Sequence, residues 1–308
     1  MRVFLTGASG WIGSAVVPEL IRAGHKVLGL ARSDTAADTL TRAGADVRRG
    51  TLDDLHVLRD SAAESDGVIH LAFKHDIAFS GRYEEAVDAD RVAVDTFGEV
   101  LAGSDRPFVI ASGLLGVAPG RLATERDGLA PDARGAGGPT QRISNAHATT
   151  ALADRGVRSS VVRLSPTVHG DGDNGFVASL VALAREKGVS GYVGDGAHRW
   201  SAVHRADAAD LFRRALESAP AGSTLHAVGD EGVPIRAVAE VIGRHLDVPV
   251  VSFAPDEAAA HFTWLAPLLA LDSPASATRT SDLLDWHPTH PTLLEDLDQG
   301  HYFTPTTT

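Results

Sequence analysis

The segment LTGASGWIGSAVVPELIRAGHKVLGLAR, residues 5–32, sets Gly7, Gly10 and Gly13 between a short β-branched run and an amphipathic helical stretch. No other feature narrows the possible folds as far. Gly7 permits a tight turn out of a strand, Gly10 lets the backbone approach a pyrophosphate, and Gly13 lets the helix pack close to the sheet. The helix that starts here points unpaired N–H groups at an anion. Three glycines alone are ordinary turn punctuation. With a strand before them, a helix after them and a second strand from Lys26 to Ala31, they predict dinucleotide binding.

The alternation continues. Val3 to Leu5, Lys26 to Ala31, Val68 to Leu71, Phe108 to Ala111 and Ser160 to Leu164 read as strands. Between them Ile12 to Ala23, Asp34 to Ala43, Leu55 to Ala63, Arg82 to Ala102 and Gln141 to Asp154 read as helices. This pattern predicts an α/β protein with a doubly wound parallel sheet. A stretch rich in Gly, Pro and charge after Ser112 reads as a long surface loop. Beyond Pro166 the alternation fades into a smaller mixed lobe. The expected division is a dinucleotide domain at 1–165, joined again by 200–228, and a substrate lobe at 166–199 and 229–308.

With 40 acidic against 28 basic residues the 308-residue chain carries a formal charge of −12 and shows no basic run, which argues against nucleic-acid or anionic-membrane partners. No stretch approaches the ~20 apolar residues of a membrane helix. The expectation is a soluble, cytoplasmic protein. The absence of cysteine excludes disulfides, thiol nucleophiles and thiolate metal sites. DGDNG at 171–175 lacks the glycine a calcium loop needs at its sixth position, and His287 and His290 are split by a proline, so no metal is expected.

The Gly-x-x-Gly-x-x-Gly spacing after Thr6 resembles the extended and atypical short-chain dehydrogenase/reductases, an NAD-dependent epimerase/dehydratase-like group. IHLA at 69–72, RLSPTVHG at 163–170 and VGDGAHRWSAVHRADAADLF at 193–212 are similar to further segments of that family. The resemblance implies a Rossmann domain and a cofactor contacted by Gly7, Ser9, Gly10, Trp11, Ile12, Gly13, Leu52, Asp53, Leu71, Ala72, Phe73, Pro166 and Val168. NAD enzymes of this kind end the second strand on Asp. Here Ala31, Arg32 and Ser33 follow instead, and a guanidinium with a hydroxyl suits the 2′-phosphate of NADP(H). The alternative for Arg32 is an exposed loop charge, and Asp34 weighs against the phosphate.

The family also implies a Tyr-x-x-x-Lys pair on the helix at 141–154. Gln141 and Asn145 stand at those positions, and no tyrosine lies between Tyr83 and Tyr192. Asn145 retains hydrogen bonds for a ribose hydroxyl but no charge. Ser112 stands where the carbonyl-binding serine is expected, although a strand-end serine also caps its own backbone. Candidates for the proton are His75, at the carboxyl end of a central strand, and Tyr192, in the lobe that covers the substrate. His147, His169 and His204 are placed less well. The function expected is NADPH-dependent hydride transfer to a small C=O or C=N substrate; an iminium needs no acid. The alternatives are a silent NADP(H)-binding redox sensor, and epimerase or dehydratase chemistry on a sugar-like substrate. The expected partners are a small-molecule substrate and, through the helices at 82–102 and 141–154, a second copy of the chain.

Overall fold

A computed structural model describes residues 1–128 and 139–304, except the side chains of 139–141. Seven parallel strands form the main sheet: β1 (Arg2–Thr6), β2 (Lys26–Ala31), β3 (Asp46–Arg49), β4 (Gly67–His70), β5 (Pro107–Gly113), β6 (Arg158–Leu164) and, after an excursion, β10 (Ser223–Ala227). Their order is β10-β6-β5-β4-β1-β2-β3. The order reverses between β1 and β4, so the carboxyl ends of these two strands open the crevice in which such sheets receive ligands. The doubly wound parallel sheet expected from the strand and helix alternation is therefore present.

Alternation along β1 explains the layering. Val3 and Leu5 enter the core shared with Val16, Leu20 and Phe212, whereas Phe4 faces Leu58, Phe97 and Phe108 on the other side. One face is covered by α1 (Gly13–Arg22) and α8 (Arg205–Ser218). The other carries α3 (Leu55–Ala63), α5 (Tyr83–Leu101) and α6 (Pro139–Thr150), while α2 (Asp34–Arg42) packs beside β2 and β3. A short α4 (His75–Phe79) precedes α5. Two strands escape the hydrophobic pattern. β3, with sequence DVRR, is an edge strand paired only with β2 and needs no continuous apolar run. β10 closes the opposite edge on β6.

The smaller lobe holds β7 (Thr167–His169), α7 (Phe176–Lys187), β8 (Ser190–Val193), β9 (Arg199–His204), β11 (Asp230–Pro234), α9 (Ile235–Leu246) and β12 (Val250–Phe253). β9 pairs parallel with β7 and antiparallel with β11, giving the mixed character expected there. Its own core includes Val177, Trp200, Ile235 and Phe262. The chain does not stay in this lobe to its end. Trp286 is buried in the core of the main sheet, its Nε1–H donates to the Asp207 carbonyl at 3.1 Å, and the Asp207 carboxylate accepts the Thr289 and His290 N–H groups. Within the expected 229–308 stretch, the segment around Trp286 therefore packs against the main sheet and α8.

The loop after β5 is fastened as far as residue 128. Ala123 pairs with Ala275, Glu125 accepts the N–H and hydroxyl of Thr280, and the buried Arg163 donates to the Asp127 carbonyl at 2.6 Å. Among the described residues, no helix is long and apolar enough to cross a membrane.

Candidate active site

The glycine loop follows β1 directly. Gly7 has φ +67°, and a Cβ there would lie 2.7 Å from the Ala72 nitrogen. At Gly13 a Cβ would overlap the Gly7 carbonyl and sit 2.7 Å from the Ala8 Cα. At Gly10 it would meet only the Gly7 oxygen, at 3.2 Å, and the rest of the space is open. Ser9 and Gly10 are exposed, and Ile12 stands at the mouth of α1. Among the described residues, the N–H groups of Trp11, Ile12 and Gly13 have no acceptor. An open concavity faced by three free N–H groups at a helix N-terminus fits a pyrophosphate.

Trp11 ties this loop to the second lobe. Its Nε1–H donates to the Val168 carbonyl on β7 at 2.9 Å, and the Arg205 guanidinium lies 4.2 Å over its ring. Arg205 also donates to the Ser14 hydroxyl, so the cation braces the first turn of α1. Pro166 and Val168 are half-buried beside the loop's indole anchor.

At the end of β2, Ala31 is buried and no carboxylate occupies the strand end. Arg32 is exposed and 3.7 Å from Asp76, and the Ser33 hydroxyl caps α2 through the Ala36 N–H. Register pairing sets Arg49 of β3 beside Ala31, where its guanidinium bonds the Ser33 carbonyl and Asp34. Asp34 is thereby partly neutralised. The sequence reading missed Arg49; parallel pairing of DVRR with the second strand was the signal. Leu52 is buried, and Asp53 is exposed in an ion pair with Lys74 at 2.7 Å.

Beyond β4 a buried relay runs into the helices. The Ala72 N–H donates to the Thr6 hydroxyl, which lies 2.6 Å from His70 Nδ1; His70 Nε2 is 3.2 Å from Asp90 of α5. The proton arrangement that serves every group has Thr6 donating to Nδ1 and Nε2–H donating to Asp90. Asn145 gives its amide protons to Asp90, at 2.7 Å, and to the Val87 carbonyl, at 3.0 Å. Burial pushes the Asp90 carboxyl up, but the hydrogen bonds from His70 and Asn145 and the charge of Arg142 outweigh it and hold it below the usual carboxylate range. Asn145 therefore has only its carbonyl oxygen left for a ribose, a narrower role than expected. Gln141 lies in α6, and its side chain falls outside the described residues.

Ser112 is buried near the end of β5, its Cα registered with Arg163. Leu71, Ala72 and Phe73 are half-buried after β4. Phe73 gathers an aromatic and cationic cluster: the His75 ring at 5.1 Å, the Tyr83 ring at 6.1 Å and the Arg142 guanidinium at 4.3 Å. His75 is solvent-exposed with its ring against Phe73 and Phe79, and the partial desolvation by these rings together with the Arg142 charge lowers its pKa. From Phe79 the rings continue to Trp264 at 5.6 Å and Phe176 at 5.9 Å, bridging the two lobes. Tyr83, Asp90 and Arg142 were not legible as site residues, since nothing local marks them.

The remaining candidates lie elsewhere. Tyr192 stands in β8 with Arg236 over its ring, and its neighbours belong to the smaller lobe. His147 bonds the Gly128 carbonyl. His169 is buried against Asp296, and His204, Asp207 and His290 carry potential ligand atoms within 4.8 Å of one another. The His204 and His290 rings stack with planes 5° apart and centroids 4.7 Å apart, so their in-plane lone pairs lie in two separate parallel planes, a poor arrangement for one shared ion.

Residues 3–228 match the NAD dependent epimerase/dehydratase family, and the chain belongs to it. An uncharacterised protein of Schizosaccharomyces pombe is 45% identical over 98% of this chain and 100% of its own length. The sterol-4-alpha-carboxylate 3-dehydrogenase, decarboxylating, of Dictyostelium discoideum is 30% identical over 76% of this chain and 73% of its own. The UDP-glucose 4-epimerase of Thermotoga maritima shares the fold with a TM-score of 0.74, at 18% identity and 98% coverage of both chains. Family and relatives mark an enzyme of the short-chain dehydrogenase/reductase type that uses a nicotinamide dinucleotide.

Proposed function

We propose that the protein is an NADP(H)-dependent oxidoreductase that transfers hydride to a small C=O or C=N substrate held between the lobes. The observation that carries the cofactor preference is the end of β2, where Arg32 and Arg49 flank Ser33 and the strand end bears no carboxylate. Two guanidiniums and a hydroxyl suit a 2′-phosphate, which a strand-end Asp would repel. A bound nicotinamide supplies the hydride. The chain's own residues do the rest: the Trp11, Ile12 and Gly13 N–H groups hold the pyrophosphate, Ser112 orients the substrate oxygen or nitrogen, and the aromatic bridge at Phe79 and Trp264 limits water at the mouth.

A dehydrogenase among the relatives supports hydride transfer as the net reaction. The test is NADPH consumption over paired ketones and cyclic imines, set beside cofactor affinity measured alone. Turnover with tighter NADPH than NADH binding is expected. Intact binding without any turnover would favour the redox sensor, and equal affinity for both cofactors would remove the NADP(H) assignment. We further propose a cytoplasmic homodimer packed through α5 and α6, where Val92 is exposed.

A further inference from the structure

We propose that Tyr83, on the first turn of α5, donates the proton in carbonyl reduction, and that Arg142 of α6 is the cation that steadies its phenolate. This rests on the reductase reading above. Tyr83, Val87 and Asp90 recur at helical spacing on one face of α5, and α6 covers that face, as the Asn145 bonds to Val87 and Asp90 show. Arg142 and Asn145 are three residues apart and share the facing side of α6. The buried Asp90–Asn145 contact closes the inner end of this interface. Tyr83 and Arg142 occupy its outer end, and both meet Phe73.

Phe73 follows β4, whose neighbour β5 carries Ser112 two residues beyond the Ile110 that pairs with His70. Tyrosine, cation and serine thus come from three elements at the carboxyl ends of β4 and β5, with Tyr83 and Arg142 meeting at Phe73 after β4 and Ser112 near the end of β5. Among the described residues no carboxylate pairs with Arg142 within ion-pair distance, and its Nε is buried without a partner. Its charge falls on Tyr83, His75 and Asp90.

The groups facing the Tyr83 phenol decide between it and His75. Burial raises its pKa, Arg142 from α6 pulls it back, and Asp90 of its own helix raises it further. The phenol therefore stays protonated and available. His75, exposed on α4 with its ring against Phe73, is biased by partial desolvation and by Arg142 toward neutral imidazole, which is a poor acid. The carbonyl carbon accepts hydride from the reduced cofactor while its oxygen takes the Tyr83 proton, giving the alcohol and the oxidised cofactor. The phenolate left beside Arg142 recovers a proton from water.

The chain has three tyrosines, Tyr83, Tyr192 and Tyr302, so fluorotyrosine labelling gives three signals by fluorine NMR, and Tyr83→Phe assigns one of them. Tyr83→Phe should keep NADPH affinity within about twofold, lower ketone reduction at least ~100-fold and leave cyclic iminium reduction within about threefold. A structural role would impair both substrates alike. Arg142→Met should raise the pH at which the Tyr83 signal titrates, and Arg142→Lys should restore it. Ketone reduction that survives Tyr83→Phe within about threefold overturns the proposal, as does a Tyr83 titration unmoved by Arg142→Met. Imine turnover without carbonyl turnover in the parent protein overturns the proton-donor role of Tyr83, failure to reduce either a carbonyl or an imine removes the reductase reading instead, and the cofactor-free titration still decides whether Arg142 acts on Tyr83.

Discussion

The two ends of the cofactor crevice are built from different materials. At the end proposed for the pyrophosphate the available groups are peptide N–H groups, with no side chains at Gly7, Gly10 and Gly13. At the end proposed for the nicotinamide they are side chains from four elements: Phe73 after β4, His75 of α4, Tyr83 and Asp90 of α5, and Arg142 and Asn145 of α6. A site made of backbone tolerates few sequences, because any Cβ intrudes. A site made of side chains can be rebuilt from another helix, provided charge and reach are preserved.

The largest expected effect tests the backbone half. Gly13→Ala places a methyl against the Gly7 carbonyl and the Ala8 Cα, neither of which can rotate away, and should cost about 3 kcal/mol or more. Gly10→Val meets only one oxygen, so it should cost no more than about 1 kcal/mol while abolishing cofactor binding. Urea midpoints and cofactor titration separate the two. A cheap Gly13→Ala would show that the loop can relax and that the contrast between the halves is overstated.

The second test addresses the buried relay. Asp90→Ala leaves His70 Nε2 and the Asn145 amide without their acceptor and should cost about 2–4 kcal/mol at neutral pH. Because the folded pKa of Asp90 is depressed, its contribution is present above the unfolded carboxyl value and fades as pH falls through the folded one. The gap between parent and variant should therefore narrow as pH is lowered from about 5 toward 2. A gap constant with pH would mean that the relay is held by shape and not by charge.

Legibility followed the same division. The strand and helix alternation and the glycine spacing are properties of consecutive residues, and the Rossmann sheet and its crevice could be read from them. β3 could not, because an edge strand needs only one apolar position among four. Arg49, Asp90, Tyr83 and Arg142 become neighbours only through register and helix packing, which local spacing does not encode. The return of Trp286 to the main core was hidden for the same reason: its acceptor on Asp207 lies 79 positions earlier.

A third, smaller effect lies at the end of β2, the place proposed for the ribose 2′-phosphate. Arg32→Ala and Arg49→Ala should each narrow the preference for NADPH over NADH by about 1–3 kcal/mol. The preference should also weaken with salt, since Arg32 is exposed. Arg49 already bonds Ser33 and Asp34, so its removal also frees an acidic side chain and should be the more damaging of the two. Calorimetric titration with both cofactors checks the order. If Arg32→Ala alone removes the whole preference, Arg49 serves only to hold the turn.

The smallest effect falls where the side-chain half reaches across to the other lobe. Phe79 is 67% exposed and Trp264 50% exposed, yet their rings are 5.6 Å apart, joining α4 of the main domain to a residue of the smaller lobe. An exposed aromatic pair adds little to stability, about 0.5–1.5 kcal/mol at most. Exposed rings that span the two lobes offer a face on which a flat substrate between the lobes, as proposed, would stack. Phe79→Ala and Trp264→Ala should each raise KM for an aromatic carbonyl about threefold to tenfold with little change in kcat, and the double variant should fall short of the sum because the two rings act as one surface. Equal losses for aliphatic and aromatic substrates would make the pair a closure contact. A fall in kcat without a change in KM would show that the bridge excludes water from the reacting bond, and the second lobe would then share in the chemistry that the glycine loop and α5 begin.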